Sequence, residues 1–229
     1  MKIINLFFIL FVPIVIQAEI LQGIARNKMG EILFHEKHEV EKDDSGLNKF
    51  IRVEYTKPDG IEFATMTSDF SKSKTVPDTT FEDKRFKTKY TIRLSNGFVE
   101  FEEIKEFKSV SKKSIPFKDT MVASQGFDNF IRLNFALLET KSVEFNFGVL
   151  DSKAFYSLTG YRNPANSPEE SEYGIRASNW FFRLFAGELK VVYDSKTKQL
   201  KSFAGRSNIL DDLGKPQDVV ISYRWQNKP

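Results

Sequence analysis

The sequence predicts a mainly β protein of the α+β class, in which a curved antiparallel sheet or incomplete barrel embraces one amphipathic helix. Three observations predict this fold. Most segments alternate apolar and polar residues with a period of two, short turn motifs separate these segments, and one segment has helical periodicity instead. Strands joined by short turns pair antiparallel. The regular alternation of strands and helices that is typical of a parallel sheet does not occur in the sequence.

The alternation is clearest over residues 51–55, 90–94 and 143–149, and each of these segments is predicted to be a half-buried strand. The turn motifs Pro58-Asp59-Gly60 and Asn96-Gly97 are short enough to join antiparallel neighbours as hairpins. Further strands are predicted over residues 31–40, 61–67, 98–107, 154–159, 189–193, 200–205 and 219–225.

Two polar segments interrupt this pattern. Residues 71–85 and 161–172 contain proline and many polar side chains, and they are predicted to cross the surface between strands. Neither segment is long enough to be a linker between domains. Residues 19–229 are therefore predicted to form a single β-rich domain.

The segment 127–139 has the 3.6-residue period of a helix. Its apolar arc covers roughly 200°, whereas a helix lying on a flat surface needs only about 100°, so we expect a curved sheet around it. Asn134 lies within the apolar arc and should find an internal hydrogen-bond partner. Asp128 and Arg132 are spaced to pair on the solvent side. A second short helix is predicted over residues 178–186, where a strand fits the sequence as well.

Residues 1–18 have the pattern of a cleaved signal peptide. Lys2 provides a positive charge, residues 3–16 are apolar, and Ala18 is a small residue at the expected cleavage point. The apolar run is shorter than the roughly 20 residues that a membrane helix needs. We therefore expect export to the periplasm or the medium, no membrane-spanning segment after cleavage, and, because no cysteine is present, no lipid anchor.

Composition excludes several classes of function. The 34 basic and 31 acidic residues nearly balance and are dispersed along the chain, which argues against a nucleic-acid partner. The absence of cysteine excludes disulfides, thiolate nucleophiles and cysteine metal sites. The 23 phenylalanines indicate either a thick aromatic core or a roomy apolar cavity, and an AT-rich genome would explain their number nearly as well.

The chemistry-bearing side chains form no strong signature. His35 and His38 are three residues apart in a predicted strand, so they face opposite ways and do not fit the spacing of a zinc metalloprotease helix. Glu36 and His38 share a strand face and are weak metal candidates, although an exposed, charged strand explains them more simply. No nucleophile elbow or phosphate-binding glycine loop occurs, so no catalytic residue is assigned and no cofactor is expected. A carboxylate pair of the glycosidase kind stays open.

Two motifs resemble those of an uncharacterised family of exported bacterial proteins. The first motif is Gly126-Phe127-Asp128-Asn129-Phe130-Ile131-Arg132. The second begins at Tyr193-Asp194 and continues with Gly205, Ser207, Asn208, Asp211 and Gly214, followed by the stretch 219–223. The stretch 30–38 is also similar to the opening of that family, so the resemblance spans most of the chain. It implies export and a β-rich fold and brings no activity.

A second resemblance concerns overall architecture. The size, the sheet and the embraced helix are similar to the lipoprotein-carrier (LolA-like) half-barrels, in which a curved antiparallel sheet closes on helices around an apolar cavity. The motif residues themselves suit structural roles. Asn208 and Asp211 are typical of turns, and Asp128 near the start of its helix carries a charge that is favourable there.

Three functions stay open. The leading interpretation is a periplasmic binding or carrier module that holds an apolar ligand, such as a lipid, in the space around the helix. The second is a periplasmic hydrolase that uses carboxylates or Glu36 and His38. The third is an envelope scaffold that binds another protein through a sheet edge. The residues predicted to line the apolar cavity of the first interpretation are Phe127, Phe130, Ile131, Asn134 and Leu137.

Overall fold

The computed structural model describes residues 18–165, 167–178 and 187–226. The predicted signal peptide, except Ala18, and the predicted helix over 178–186, except Ser178, lie outside the described residues. The described strands are β1 (Glu19–Arg26), β2 (Ile32–Lys42), β3 (Asn48–Thr56), β4 (Glu62–Asp69), β5 (Asp78–Asp83), β6 (Thr88–Ser95), β7 (Phe98–Lys105), β8 (Lys108–Pro116), β9 (Met121–Ala123), β10 (Val143–Val149), β11 (Ala154–Asn163), β12 (Glu170–Ala177), β13 (Leu189–Asp194), β14 (Leu200–Leu210) and β15 (Pro216–Gln226). The described helices are α1 (Gly126–Leu133) and α2 (Phe135–Leu138).

The described strands form one sheet in the order β8-β7-β6-β5-β4-β3-β2-β1-β15-β14-β13-β12-β11-β10-β9. Neighbouring strands are antiparallel except β9 and β10, which are parallel. β1 and β15 pair in the middle of the sheet, so the two halves of the chain extend it in opposite directions. This order follows from successive hairpins, as the turn motifs predict.

The sheet curves until strands that are far apart in its order touch through their side chains. Phe101 on β7 packs edge-to-face on Phe155 of β11, with 5.6 Å between ring centroids. Beside this pair, Lys153 Nζ donates to Glu103 Oε2 at 2.7 Å. The end strands β8 and β9 do not pair with each other, so the sheet stays open. The predicted fold class is therefore confirmed: a curved antiparallel sheet, not closed, packs around a helical segment.

All ten predicted strands are present, as β2, β3, β4, β6, β7, β10, β11, β13, β14 and β15. The predicted crossing at 71–85 was wrong in part, because it contains β5. Only one large apolar side chain, Phe81, occurs in β5, and its buried Thr79 instead shares a hydrogen bond of 3.2 Å with Ser68 of β4. The predicted crossing at 161–172 overlaps the end of β11 and the start of β12. A strand such as β5, whose buried face includes polar side chains, lacks the alternation of apolar and polar residues by which strands are recognised in a sequence.

The helical prediction over 127–139 is confirmed, with a break at Asn134 between α1 and α2. Asn134 Nδ2 donates to the carbonyl oxygen of Phe130 at 2.9 Å, so its amide is satisfied by the helix itself and not by the sheet. Side-chain hydrogen bonds of this kind compete with the helical backbone pattern. Within the described ranges, no helix has the length and apolar character needed to cross a membrane.

The buried apolar side chains form three clusters that adjoin one another. One cluster joins β1 to β5 with β14 and β15, and another lies between the helices and β9 to β13. The third joins β6, β7 and β9. Phe203 packs against the first two clusters and Leu150 against the first and third. The apolar core therefore continues across the inner face of the sheet, and the helices are part of it.

Candidate functional site

The inner side of the helical segment is filled by neighbouring side chains. Phe130 and Ile131 are only 7% and 0% exposed. The Phe130 ring lies 4.4 Å from that of Phe145 on β10, and Phe135 packs edge-to-face on Tyr173 of β12 at 5.4 Å. These contacts fix the segment on the sheet, because aromatic side chains contribute most of the packing energy of such a core.

The outer side of the same segment presents two leucines to solvent. Leu133 is 54% exposed and Leu137 is 44% exposed. They are four residues apart and therefore lie one above the other along the helical segment. We call Leu133 and Leu137 the leucine face. The sheet thus covers only part of the wide apolar arc, contrary to the expectation that it encloses the whole of it.

The five predicted cavity residues are divided between these two sides. Phe130 and Ile131 face the core, and Leu137 faces solvent. Phe127 is partly buried, with its ring 6.1 Å from Phe145 and 6.2 Å from Phe147. Asn134 is half-buried and bonded to the helix backbone. These residues do not surround one common space; they mark the two sides of the segment.

A shallow depression of about 290 Å³ lies beside the end of α2. Its lining residues lie at the end of α2, in the segment before β10, and on β11 and β12. We call it the cationic depression, since three of its four charged side chains are positive. Its lining includes Leu138, Glu139, Lys141, Tyr161, Arg162 and Arg176.

Glu139, the one carboxylate of the cationic depression, is fully hydrogen-bonded. Its Oε1 accepts from Tyr173 Oη at 2.7 Å and from Ser171 Oγ at 3.0 Å, and its Oε2 accepts from Arg162 Nε at 3.0 Å. Burial by itself would raise the pKa of Glu139, but the hydrogen bonds from Tyr173, Ser171 and Arg162 outweigh burial and lower the pKa. Glu139 is therefore ionised at neutral pH, and Arg162 compensates its charge.

Arg176 is held against an aromatic ring and keeps an unused donor. Its guanidinium carbon lies 4.5 Å from the centroid of the Tyr161 ring, a cation–π distance. Its Nε is buried without a hydrogen-bond partner. Burial raises the pKa of Tyr161, and a hydrogen bond with Glu188 raises it further. Arg132 Nη2 is another buried nitrogen without a partner among the described residues.

Glu36 and His38 contact each other on the inner face of β2. His38 Nε2 lies 2.9 Å from Glu36 Oε2, and Tyr223 Oη of β15 donates to the same oxygen at 3.0 Å. The simpler explanation, an exposed charged strand, is wrong, because the Glu36 side chain is 7% and the His38 side chain 12% exposed. His35 lies on the opposite face of β2, as alternation predicts.

The Glu36 pair is part of the packed interior. The Tyr223 ring packs edge-to-face on the His38 ring at 5.8 Å. Burial raises the pKa of Tyr223 well above its usual value, and the nearby Glu36 carboxylate raises it further, so the phenol stays a neutral donor. Among residues 18–165, 167–178 and 187–226, no group of three His, Asp or Glu side chains is arranged to hold a metal ion.

The first family-like motif ties α1 to distant strands through Asp128. Asp128 Oδ1 accepts from Tyr193 Oη of β13 at 2.9 Å, while Oδ2 accepts from Arg132 Nε and from Asn48 Nδ2 of β3, each at 2.8 Å. The expected Asp128–Arg132 pair is present, but the expectation that it lies on the solvent side was wrong. The Arg132 side chain is only 8% exposed, because the strands that carry Asn48 and Tyr193 meet the helix on this side.

Two further residues of this motif have packing roles. Asn129 is fully buried; its Oδ1 accepts the Asn48 N–H at 2.9 Å, and its Nδ2 donates to the carbonyl oxygens of Asn48 and Lys74. A Cβ on Gly126 would lie 2.0 Å from the carbonyl oxygen of Thr75, so only glycine permits this approach. The motif therefore locks the start of α1 to β3 and to the segment before β5.

The second motif forms turns and part of β14. Asp194 Oδ1 accepts the N–H groups of Lys196 and Thr197 after β13. Asp211 Oδ1 accepts those of Leu213 and Lys215 in the turn before β15, which also contains Gly214. Gly205, Ser207 and Asn208 lie in β14, where Ser207 Oγ accepts the Ile209 N–H at 3.0 Å. Asn208 is an exposed strand residue, so its predicted turn role was wrong.

Comparison with known proteins adds little. No protein-family model matches the chain, and no curated protein matches it. A beta-barrel-like protein of the domain of unknown function DUF1849 from Brucella abortus is 9% identical and covers 93% of this chain and 98% of its own, with a TM-score of 0.34. MucB in complex with MucA(peri) is 10% identical over 91% of this chain and 89% of its own, with a TM-score of 0.15.

Proposed function

We propose that this protein is a non-catalytic binding or carrier module for an apolar ligand, and that an acyl chain lies along the leucine face. The observation that carries the proposal is the exposure of Leu133 and Leu137 on a segment whose other side is packed. Because Phe130 and Ile131 are buried in the core, a ligand reaches this segment from its outer side. Apolar side chains held open on a fixed scaffold are typical of ligand sites.

The leucine face offers a modest but measurable binding energy. Fully burying a leucine side chain is worth roughly 1.5–3 kcal/mol, so covering two leucines that are already about half-buried is worth roughly 1.5–3 kcal/mol together. That energy corresponds to about a tenfold to hundredfold change in Kd. Replacing both leucines with polar residues should therefore weaken ligand binding by an amount that is large enough to measure.

The test is isothermal titration of the purified protein with dodecyl maltoside below its critical micelle concentration. We expect saturable binding by the natural protein and at least about tenfold weaker binding by the double variant Leu133→Gln/Leu137→Gln. Leu213→Gln is the matched control, because Leu213 is 79% exposed in the turn before β15 and should not affect the titration. Equal binding by the double variant, or no binding by the natural protein, contradicts the proposal.

Export is the second part of the proposal, and the sequence of residues 1–18 supports it. In cells we expect the protein in the osmotic-shock fraction or in the medium, with Glu19 as its first residue. N-terminal sequencing of the recovered protein measures this directly. A chain that keeps Met1 and remains in the cytoplasmic fraction contradicts it.

A second candidate function is contact with another envelope protein at the free edge of β8. This edge strand has no strand partner on its outer side among the described residues, and free edges are sites where another chain can add a strand. Phe107, 97% exposed at the turn between β7 and β8, and Val110, 55% exposed on β8, lie beside it.

A photo-crosslinking amino acid at position 110 tests this second function in cells, with position 213 as the control. Binding at the edge predicts one discrete adduct from position 110 that is lost when Ser114→Pro removes an amide of the edge strand. The same adduct pattern from both positions, or none from position 110, excludes it.

A further inference from the structure

We propose that one end of the sheet docks on an anionic lipid surface. This end carries the four most exposed large apolar side chains among the described residues, each in a turn between two strands. They are Phe107, 97% exposed, Met29, 80%, Leu213, 79%, and Ile61, 61%. We call these four residues the tip surface. It is separate from the leucine face, so the inference goes beyond the proposed function.

The strand order places these four turns at the same end of the sheet. Successive antiparallel strands run in alternate directions, so the turns that follow β1, β3, β5 and β7 share one end. The turn before β15 lies there as well, because Val220 near the start of β15 pairs with Arg26 at the end of β1.

Contacts between the turns hold this end together. Asp212 pairs with Lys57 Nζ at 2.9 Å and with Arg85 Nη1 at 3.1 Å, so the turns that follow β3, β5 and β14 meet. The Glu106 N–H donates to the carbonyl oxygen of Lys87 at 3.0 Å, which joins the turns that follow β5 and β7. The tip residues are therefore carried by neighbouring turns.

Three of the tip residues occupy the same position in their turns. In each case the side chain of an Asn or Asp accepts the N–H of the tip residue two positions later. The bonds run from Met29 to Asn27 at 2.9 Å, from Ile61 to Asp59 at 3.1 Å, and from Leu213 to Asp211 at 2.9 Å.

At the opposite end of the sheet, the same bond is made by polar residues. The bonds there run from Ser45 to Asp43 at 3.0 Å, from Ser71 to Asp69 at 2.8 Å, and from Lys196 to Asp194 at 3.1 Å. A turn of this kind therefore accepts a polar residue at this position. Turn formation does not explain why one end carries methionine, isoleucine and leucine there.

The backbone of these turns is suited to leave water. The N–H groups of Met29, Ile61 and Leu213 are paired with side chains, and the glycines of the same turns donate to backbone carbonyls. The glycine bonds are Gly30 to Asn27 at 3.0 Å, Gly60 to Lys57 at 2.9 Å, and Gly214 to Asp211 at 3.0 Å. An unpaired peptide group is costly among lipids, and these bonds reduce that cost.

The charge of this end favours an anionic surface. The turns carry eight basic and five acidic residues over the ranges 27–31, 57–61, 84–87, 105–108 and 211–215. Lysines next to apolar residues are typical of segments that lie at a membrane surface, where the lysines meet anionic head groups.

Four of these lysines are available to a lipid. Lys28 precedes Met29, Lys108 follows Phe107, and the other two are Lys87 and Lys215. In the part of the chain that the structure describes, none of the four forms an ion pair within 4.0 Å. Because the apolar tips stand on separate turns, a fluid layer that fills the spaces between them fits better than a rigid protein surface.

Co-sedimentation with lipid vesicles tests the inference. The probes are vesicles of phosphatidylcholine alone and vesicles with about 30% phosphatidylglycerol, which supply the negative charge. We expect the natural protein to bind the anionic vesicles at least about tenfold more tightly than the neutral ones. High salt should reduce this preference, because the lysines are open to solvent.

A triple variant assigns the binding to the tips. Met29→Ser/Ile61→Ser/Leu213→Ser introduces the residue that Ser45 and Ser71 provide in the turns of the opposite end, so the turns should still form. It should bind anionic vesicles at least about tenfold more weakly. Phe98→Ser is the matched control, because Phe98 is 42% exposed at the opposite end, and it should bind as the natural protein does.

A lysine variant assigns the charge preference. Lys87→Gln/Lys108→Gln should weaken binding to anionic vesicles about tenfold and leave binding to neutral vesicles unchanged. Lys118→Gln/Lys196→Gln removes two exposed lysines at the opposite end and should change neither.

A fluorescent label locates the contact without removing the tips. The chain has no cysteine, so a single introduced cysteine can carry an environment-sensitive dye. With anionic vesicles, the dye on Leu213→Cys should shift its emission to shorter wavelength, whereas the dye on Ser45→Cys should not.

Several results would overturn the inference: no binding of the natural protein to vesicles, equal binding by the triple variant, or equal shifts from both labels. Loss of vesicle binding in Leu133→Gln/Leu137→Gln, with the triple variant unaffected, would place the contact on the leucine face instead. A dimer that the triple variant converts to a monomer, without vesicle binding, would show an interface between copies of the chain. The proposed function is tested separately, because single dodecyl maltoside molecules offer no lipid surface.

Discussion

Gly23 on β1 leaves the space through which Tyr223 on β15 reaches the carboxylate of Glu36 on β2. A Cβ on Gly23 would lie 2.8 Å from Tyr223 Cε1, closer than Cβ atoms come to neighbouring atoms in real structures. With glycine there, Tyr223 Oη donates to Glu36 Oε2 at 3.0 Å. The last strand, β15, is therefore joined to β2 across β1 by a buried polar contact, in addition to its ladder with β1.

Gly23→Ala should destabilise the protein. Glycine within a strand normally costs about 0.5–1 kcal/mol relative to alanine, so alanine would be the better residue if space allowed it. Because the added methyl group would collide with the Tyr223 ring, the substitution should instead destabilise the protein and lower its free energy of unfolding by about 1–3 kcal/mol. Urea unfolding of the variant and the natural protein measures this difference in free energy.

The matched experiment repeats Gly23→Ala in a Tyr223→Ala background, where the ring is absent. There the alanine should be neutral or stabilising. An equal loss of stability in both backgrounds would show that the Tyr223 ring is not the reason for glycine.

Asp128→Ala should lower the free energy of unfolding by about 2–4 kcal/mol, because it leaves Arg132 and Tyr193 without their common acceptor in a largely buried place. Asp44→Ala is the control, since Asp44 is exposed in the turn between β2 and β3, and it should change stability by less than about 0.5 kcal/mol. Chemical denaturation of both variants checks the difference. Similar stabilities for the two would contradict the structural role of the motif.

Glu139 should make stability depend on pH below the usual range of a glutamate. Its pKa in the folded protein is lowered from the ordinary value of 4.5, because hydrogen bonds from Tyr173, Ser171 and Arg162 outweigh burial. Its contribution is therefore complete above the unfolded pKa and is lost as the pH falls from about 4.5 through the lowered value.

Melting temperatures measured between pH 7 and pH 3 test this dependence. Glu139→Gln should flatten the acid side of the profile, while Glu144→Gln, at an exposed position on β10, should leave it unchanged. A Glu139→Gln profile parallel to that of the natural protein would rule out the lowered pKa.

The turn between β7 and β8 should be open to stabilisation. Glu106 and Phe107 have φ values of 48° and 66°, a region that asparagine and glycine adopt more readily. The double change Glu106→Asn/Phe107→Gly should raise the free energy of unfolding by about 1–2 kcal/mol. A fall in stability, measured by urea unfolding, would mean that Phe107 has a stabilising contact with the chain.

The sequence predicts ten of the described strands by their alternation and misses β1, β5, β8, β9 and β12. β3 and β10 alternate clearly and were predicted. β8 was missed because it is an edge strand with exposed or half-buried side chains throughout, including three lysines of the kind that discourage edge-to-edge pairing. Thr79 shows the opposite case in β5, where a polar residue is buried and satisfied by Ser68, a partner eleven residues away.

The helical segment was predictable, but its orientation was not. Hydropathy shows that 127–139 is helical and mostly apolar, yet which leucines stay exposed depends on strands far along the chain. Asp128 faces inward because Tyr193, 65 residues later, donates to it. The cationic depression also depends on contacts between residues that are far apart in the sequence. Pairing of β11 with β12 brings Tyr161 and Arg176 beside the end of α2, and nothing local in the sequence marks them as neighbours.

A crystal structure of the protein grown with dodecyl maltoside tests the central claim most directly. The account predicts electron density for the dodecyl chain along Leu133 and Leu137. Density for the chain among Phe130 and Phe145 inside the core, or bound away from the helical segment, would contradict it.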